Sequence, residues 1–278
     1  MSSLPEDWVG NEEHCHDRLD PSHAGRMAAL LDCVAPDANS TLAPLWHWAF
    51  FQIPARPSAT GEDGHIAPGG FLPRSEGNTR MWAGGRVWFV RPLRIGHPAE
   101  RHSHIKSVRE NTGRSGKFQF VTVAHEYCQH DSNCLTEEQD IVYKVPSAPR
   151  LSLDQPMPKP QWSETVKPSP LLLFRYSAVT FNGHRIHYDH PYATGVEGYP
   201  DLVVHGPLIA TLMVRAFTSA NPSLRPVYLA YRGLRPLTAD QPFRVEGRIE
   251  GDGRASLWAG NDAGPAHEAE LEFEERRQ

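Results

Sequence analysis

The chain has 278 residues, with 28 Lys and Arg against 33 Asp and Glu, a formal charge of −5 before its 15 His are counted, and 39% hydrophobic residues. That is the composition of a globular chain long enough for one large domain or two ordinary ones, and it excludes disordered, collagen-like and coiled-coil classes. The mildly acidic balance contains no Lys/Arg block, so there is no basic patch for phosphates and nucleic acid is set aside as a partner.

No run reaches the roughly 18 to 20 uninterrupted apolar residues of a membrane span, because 202–217 is broken by His205 and Arg215. The first eight residues, Met-Ser-Ser-Leu-Pro-Glu-Asp-Trp, carry neither the blocks of a secretory signal nor the Arg-rich character of a transit peptide, so a cytoplasmic location is expected. Cys15, Cys33, Cys128 and Cys134 include no C-x-x-C pair and are read as reduced thiols.

In chain order, Met27, Leu30, Leu31 and Val34 recur at helical spacing after Ser22, which predicts a helix over 22–34. An aromatic-rich stretch at 42–53 and a Gly/Pro-rich loop at 61–77 follow. Runs rich in Val, Ile, Phe and Tyr predict strands near 86–90, 102–108, 118–127 and 139–145. The seven prolines between Pro146 and Pro170 mark an extended connector and the domain boundary. Beyond it come an apolar run at 171–181, a loop to about 199, a helix over 207–217 and strands near 227–231, 243–250, 255–259 and 268–273, the pattern of an α+β unit.

The segment 87–94, Val-Trp-Phe-Val-Arg-Pro-Leu-Arg, resembles 227–235, Val-Tyr-Leu-Ala-Tyr-Arg-Gly-Leu-Arg, at a separation of half the chain. Each is followed by a Pro-containing turn, a polar strand, a Gly-centred turn and another strand. A duplicated fold accounts for this echo. The division expected is 1–148 as a first repeat with a leading helix, 149–168 as a Pro-rich linker and 169–278 as a second repeat.

Polar groups crowd among apolar ones between 175 and 214. Arg175, Asn182, His184, Arg185, His187, Tyr188, Asp189 and His205 are offered to one small volume. Such groups are costly to bury unless paired, so together they line a site or form a satisfied network, and each His taken singly also fits a structural role. His184, His187 and His190, with His205, are a candidate zinc set. His190 precedes Pro191, however, which disfavours the helix that would align them, and no Cys or Glu stands at ligand spacing, so no metal and no cofactor are assigned.

His205-Gly206-Pro207 opens a helix whose first N–H groups and dipole make that end partially positive. Gly206 lacks a Cβ, so a substrate carbonyl could approach its N–H closely, as in an oxyanion hole. An ordinary helix cap is the competing reading. A polarising helix end beside a neutral imidazole suits acid/base chemistry next to a thioester. Neither a Gly-x-Ser-x-Gly elbow, a Walker loop nor a G-x-G-x-x-G accompanies it, which argues against serine hydrolases, nucleotide hydrolases and dinucleotide enzymes.

The run Thr-Phe-Asn-Gly-His-Arg-Ile-His-Tyr-Asp at 180–189, with Glu-Gly-Tyr at 197–199 and Leu-Val-Val-His-Gly-Pro-Leu at 202–208, resembles the MaoC-like hydratases and dehydratases. The resemblance is to the branch of type 2 hydroxyacyl-thioester dehydratases and mesaconyl-C4-CoA (itaconyl-CoA) hydratases, and it is strongest over 171–217. It implies an α+β double hotdog, two repeats each with a long central helix wrapped by an antiparallel sheet, and one active site in the second repeat. The wider family's Asp, five residues before its His, corresponds to Asn182, while the His matches His187; Asn cannot accept a proton, and the branch resembled also carries Asn there. His187 is therefore expected to be the acid/base, Asn182 to orient water and Gly206 to polarise the carbonyl. Asp189 is expected to fix the tautomer of His187, and Arg185, Arg175, Tyr188 and His205 to bind or orient substrate.

The activity implied is reversible hydration of an α,β-unsaturated acyl-CoA, mesaconyl-C4-CoA or itaconyl-CoA giving citramalyl-CoA. A (3R)-hydroxyacyl-thioester dehydratase of fatty-acid metabolism and a non-catalytic acyl-CoA binding module are the alternatives. The resemblance further implies a homodimer. Arg91, Arg94, Arg232 and Arg235 read as solvated surface charge rather than coenzyme ligands.

Overall fold

Residues 5–67, 69–73, 77–113 and 116–276 are described by a computed structural model. The polar segment Glu12–Asp17 forms β1, and runs of β-branched and aromatic residues between turn residues form β2 (Thr79–Phe89), β3 (Ala99–Gly113), β4 (Gly116–Gln129) and β5 (Ser132–Lys144) in the first half of the chain. The second half contributes β6 (Trp162–Val166), β7 (Leu224–Gly233), β8 (Phe243–Gly251), β9 (Arg254–Asn261) and β10 (Gly264–Glu275). All pair antiparallel in one sheet of order β1-β3-β4-β5-β2-β7-β10-β9-β8-β6. Read outward from its middle, each half follows the same path, so β2 corresponds to β7, β5 to β10, β4 to β9, β3 to β8 and β1 to β6. The internal sequence echo falls on β2 and β7, which pair with each other at the seam with Val87 opposite Leu229.

The helices repeat in part. α1 (Pro21–Leu30) follows β1 as α2 (Pro170–Val179) follows β6, and each starts on Pro behind a capping side chain, Asp20 for α1 and Ser169 for α2. α3 (His190–Gly195) is a single short turn capped by Asp189, and α4 (Gly206–Ala220) is the long central helix of the second half. α4 is apolar almost all round, with Leu208, Ile209, Leu212, Met213 and Phe217 buried, as a helix wrapped by a sheet must be. Each such side chain contributes roughly 1.5–3 kcal/mol on burial.

The first half has no helix equivalent to α4 among its described residues. There the aromatic segment forms only a 3-10 turn, Trp46–Ala49, bounded by Leu45 and Phe51 in left-handed backbone (φ 68° and 56°) and followed by Pro54 and Pro57. Helix cannot propagate through that combination, and Trp46, Phe50 and Phe51 fill the core directly. This is the double hotdog, with the central helix reduced in one repeat.

Several local expectations shift. α1 ends at Leu30 and is capped by Asp20 rather than Ser22, and Val34 lies 94% exposed beyond it. β1, Glu-Glu-His-Cys-His-Asp, is an edge strand whose polar composition gave no strand signal. Trp162–Val166, inside the segment expected to be linker, is the opposite edge strand. Arg235 is buried and donates to the carbonyls of Pro265 and Leu151 and to Asn261, so it is not solvated surface charge. The four cysteines are free thiols. No helix among the described residues is long and apolar enough to cross a membrane.

Candidate active site

The segment after α2 turns sharply. Thr180 Oγ1 donates back to Tyr176 O (2.7 Å), Phe181 takes left-handed backbone (φ 51°), and the Asn182 N–H reaches Ser177 O (2.8 Å). Asn182 Oδ1 accepts from the His184 N–H (2.9 Å), an Asx turn that leads into the 3-10 turn Arg185–His187. This delivers the His187 ring to a buried position where Nδ1–H donates to Val203 O (2.7 Å). That bond fixes the neutral tautomer and leaves Nε2 with its lone pair. Burial, the largest influence, pushes the His187 pKa down to about 4, so the ring is a neutral base at pH 7.

His205 lies behind it, fully buried, its ring stacked on His187 with centroids 3.6 Å apart and planes at 18°. His205 Nε2 shares a hydrogen bond with Ser177 Oγ (2.8 Å). Burial followed by the neighbouring imidazoles holds His205 well below the ordinary range as well. His205 is the residue before α4, so the stack sets His187 beside the first turn of that helix. Gly206 is the first helical residue and Pro207 the second, and the Gly206 N–H meets no acceptor among the described residues.

Glycine at 206 also has a packing reason. A Cβ there would stand 2.6 Å from Cε3 of Trp82, on β2 of the first half. The missing side chain accommodates an indole across the seam.

A cavity of about 1110 Å³ runs between the halves, with Asn182, His184, His187, Tyr188, Gly206 and Trp82 among its walls. Of the other expected residues, Tyr188 donates its OH to Gly183 O (2.8 Å). Asp189 does not touch His187. It pairs with Arg185 (2.8 Å) and accepts from the Tyr192 N–H (3.2 Å), and the Val203 carbonyl takes the tautomer-fixing role instead. Arg185 also donates to Glu62 O and lies over the Tyr192 ring at 4.1 Å, so its guanidinium is committed. Arg175 is exposed and is not part of the cavity wall. Among the described residues, His184, His187 and His205 are not a trio whose ligand atoms lie within 4.8 Å of one another, and His187 Nδ1 and His205 Nε2 are bonded elsewhere.

Other groups entered the site unforeseen. The Gly-Glu-Asp-Gly-His run at 61–65 docks on the 182–185 turn so closely that a Cβ on Gly64 would lie 2.0 Å from Gly183 O, and the Arg185 N–H donates to Asp63 O (2.9 Å). It brings in His65, whose Nδ1–H donates to Asp63 Oδ2 (2.8 Å) and whose ring packs 4.1 Å from that of His184. Burial alone would raise the Asp63 pKa, but the His65 hydrogen bond and charge outweigh it and hold the carboxyl below its usual range. Burial and then the adjacent imidazoles push His184 down to about 2. Asp63, His65 and His184 bring one ligand atom each within 4.8 Å of one another, a donor set that could also hold a cation. The only sequence signal for this loop was its glycines, which mark close backbone approach but not what is approached.

The family Hydroxyacyl-thioester dehydratase type 2 matches residues 45–239. The mesaconyl-C(4)-CoA hydratase of Chloroflexus aurantiacus is 44% identical over 273 residues, covering 96% of each chain. The mitochondrial hydroxyacyl-thioester dehydratase type 2 of Schizosaccharomyces pombe is 29% identical over 258 residues, covering 82% of this chain and 85% of its own. Among solved structures, a MaoC-like dehydratase superposes with a TM-score of 0.74 at 14% identity, covering 98% of this chain and 100% of that one. The MaoC-like dehydratase of Phytophthora capsici gives 0.72 at 13% identity, covering 99% and 100%. With the fold, the Asn182–His187 turn and the α4 terminus in place, the chain belongs to the type 2 hydroxyacyl-thioester dehydratases, within the MaoC-like hydratases and dehydratases.

Proposed function

We propose that the protein is a hydro-lyase that adds water reversibly across the α,β double bond of an acyl-CoA, with mesaconyl-C4-CoA or itaconyl-CoA as substrate and citramalyl-CoA as product. The observation that carries this reading is the neutral His187, with a free Nε2, stacked against the residue that opens α4. The 44% identity to a mesaconyl-C(4)-CoA hydratase supports the acyl group.

In hydration of a conjugated thioester such as mesaconyl-C4-CoA, His187 Nε2 takes a proton from water as the oxygen bonds to the β-carbon. The π electrons move to the thioester oxygen, where the Gly206 N–H and the α4 dipole stabilise the negative charge. The imidazolium then returns a proton to the α-carbon, and dehydration runs the steps backward. Asn182 Oδ1 is taken by the His184 N–H, so its amide Nδ2–H groups are what orient the water. A (3R)-hydroxyacyl-thioester dehydratase uses the same chemistry on a longer chain, and the 29% identity to such a protein keeps it as the second reading.

We further propose that the first repeat, 1–148, has lost catalysis and serves as a cavity wall, joined through 149–168 to a catalytic repeat at 169–278, and that the enzyme works as a cytoplasmic homodimer without a cofactor. The test is loss of enoyl-thioester absorbance with crotonyl-CoA, a medium-chain enoyl-CoA, mesaconyl-C4-CoA and itaconyl-CoA. Turnover of one of the last two above the others is expected. Tight binding of all four without turnover would favour a non-catalytic acyl-CoA module.

A further inference from the structure

We infer that Arg80 and His184 form a subsite for a second carboxylate on the acyl group, so that the cavity selects dicarboxylic acyl thioesters; this rests on the hydratase reading above. An acyl group bearing its own carboxylate brings a full charge into a cavity walled largely by apolar and aromatic groups. That charge is tolerated only against a cation and hydrogen-bond donors.

Most arginines near the site are already committed. Arg185 is held by Asp189, Arg101 pairs with Glu13 (3.0 Å), and Arg235 is bound to backbone carbonyls and Asn261. Arg150 lies exposed at the rim. Arg80, half-buried on β2, lines the cavity and makes no ion pair with any described residue. It shares the cavity wall with His65 and His184, within electrostatic reach of both.

His184 completes the geometry. Its backbone N–H is used by Asn182, but neither ring nitrogen is hydrogen-bonded among the described residues, although the ring lies in the cavity wall. A neutral imidazole keeps one N–H to donate. Its ring lies 5.4 Å from that of His187, so a carboxylate attached beside the double bond can meet His184 while the carbon that takes the hydroxyl faces His187. Asp63, His65 and His184 could be read instead as a cation site. The Asp63 carboxylate is occupied by its bond from His65, and the positive Arg80 lining the same cavity offsets its negative charge, which leaves the His184 ring N–H open to an anion.

The test compares kcat/KM for mesaconyl-C4-CoA and crotonyl-CoA, and binding of the unreactive pair succinyl-CoA and butyryl-CoA, in wild type, Arg80→Gln and Arg80→Lys. Wild type is expected to bind succinyl-CoA at least about tenfold tighter than butyryl-CoA. Arg80→Gln is expected to erase that preference and to lower the mesaconyl-to-crotonyl ratio roughly a hundredfold, with partial recovery in Arg80→Lys. A wild type without preference for succinyl-CoA, or an Arg80→Gln ratio within about threefold of wild type, overturns the subsite. If Arg80→Gln does not fold, the same ratio in His184→Asn decides. Preferential binding of succinyl-CoA by a wild type that hydrates no enoyl-CoA would leave the subsite standing and sink the hydratase reading.

Discussion

The imidazole of His187 lies flat on that of His205, 3.6 Å between centroids, and both rings are neutral because burial denies a proton to either. One ring faces the cavity and the other is locked to Ser177, so the stack holds the first in place without charging it.

Replacing His187 by Ala is expected to lower kcat/KM for hydration roughly 10²- to 10⁴-fold while leaving the fold intact. The check is steady-state turnover beside a far-ultraviolet circular dichroism spectrum. Activity close to wild type would remove His187 from the chemistry.

The pH profile should carry the same signature. An exposed imidazole loses its basicity near pH 6.5, whereas His187, desolvated to about 4, remains a free base throughout the range between. The acid limb of kcat/KM is therefore expected close to pH 4. A limb centred at 6.5 would point to a different, solvated base.

Stability should respond to acid in the same window. His125, His187 and His267 have folded pKa values near 4, and His184 near 2, all below the unfolded imidazole value. Between pH 6.5 and 4 the unfolded chain binds protons that the native chain refuses, so stability present above 6.5 is lost as the pH falls. Denaturant midpoints at pH 7, 6 and 5 should decline steadily. A flat series would show that these rings are open to solvent.

Glu137 tests the first repeat. Fully buried, it accepts from His47 (3.1 Å), Trp48 (2.8 Å), Tyr127 (3.0 Å) and Gln139 (2.8 Å). Burial alone would raise its pKa, but the His47 contact and the other donors hold it down to about 2. Glu137→Ala strands four donors, two of them (His47 and Tyr127) buried, and is expected to cost on the order of 3–5 kcal/mol, read as a lowered Tm.

Gly206→Ala is expected to destabilise by about 1–3 kcal/mol, because the new methyl meets the Trp82 indole at 2.6 Å. Adding Trp82→Leu should recover much of that stability, a coupling read from a double-mutant cycle. Simple additivity of the two changes would show that the indole is not what excludes the methyl.

Much of the fold was legible from residues alone. The strands of both halves, the helix over 207–217 and the echo between 87–94 and 227–235 each carry a periodic or repeated signal, and all fall on observed elements. β1 was not legible because an edge strand of Glu and His has no buried face to show. The missing central helix of the first repeat turns on Leu45 and Phe51 adopting positive φ, which their side chains do not announce. At the candidate site, the Asn182–His187 turn could be read from one stretch of sequence. Asp63, His65, Arg80 and Trp82 could not, because they arrive from 100 or more positions away, the first two by docking of the 61–65 loop on the 182–185 turn and the last two on β2, which pairs with β7.

That pairing divides labour within a single polypeptide. On this reading the bond-making ring and the helix terminus sit in one half, while the arginine that would choose the acyl group and the indole that packs over Gly206 stand on a strand of the other. Substitutions along β2 can then retune which thioester is admitted without disturbing the imidazole that acts on it, so new specificities within this architecture can evolve by drift in the half that does not carry that imidazole.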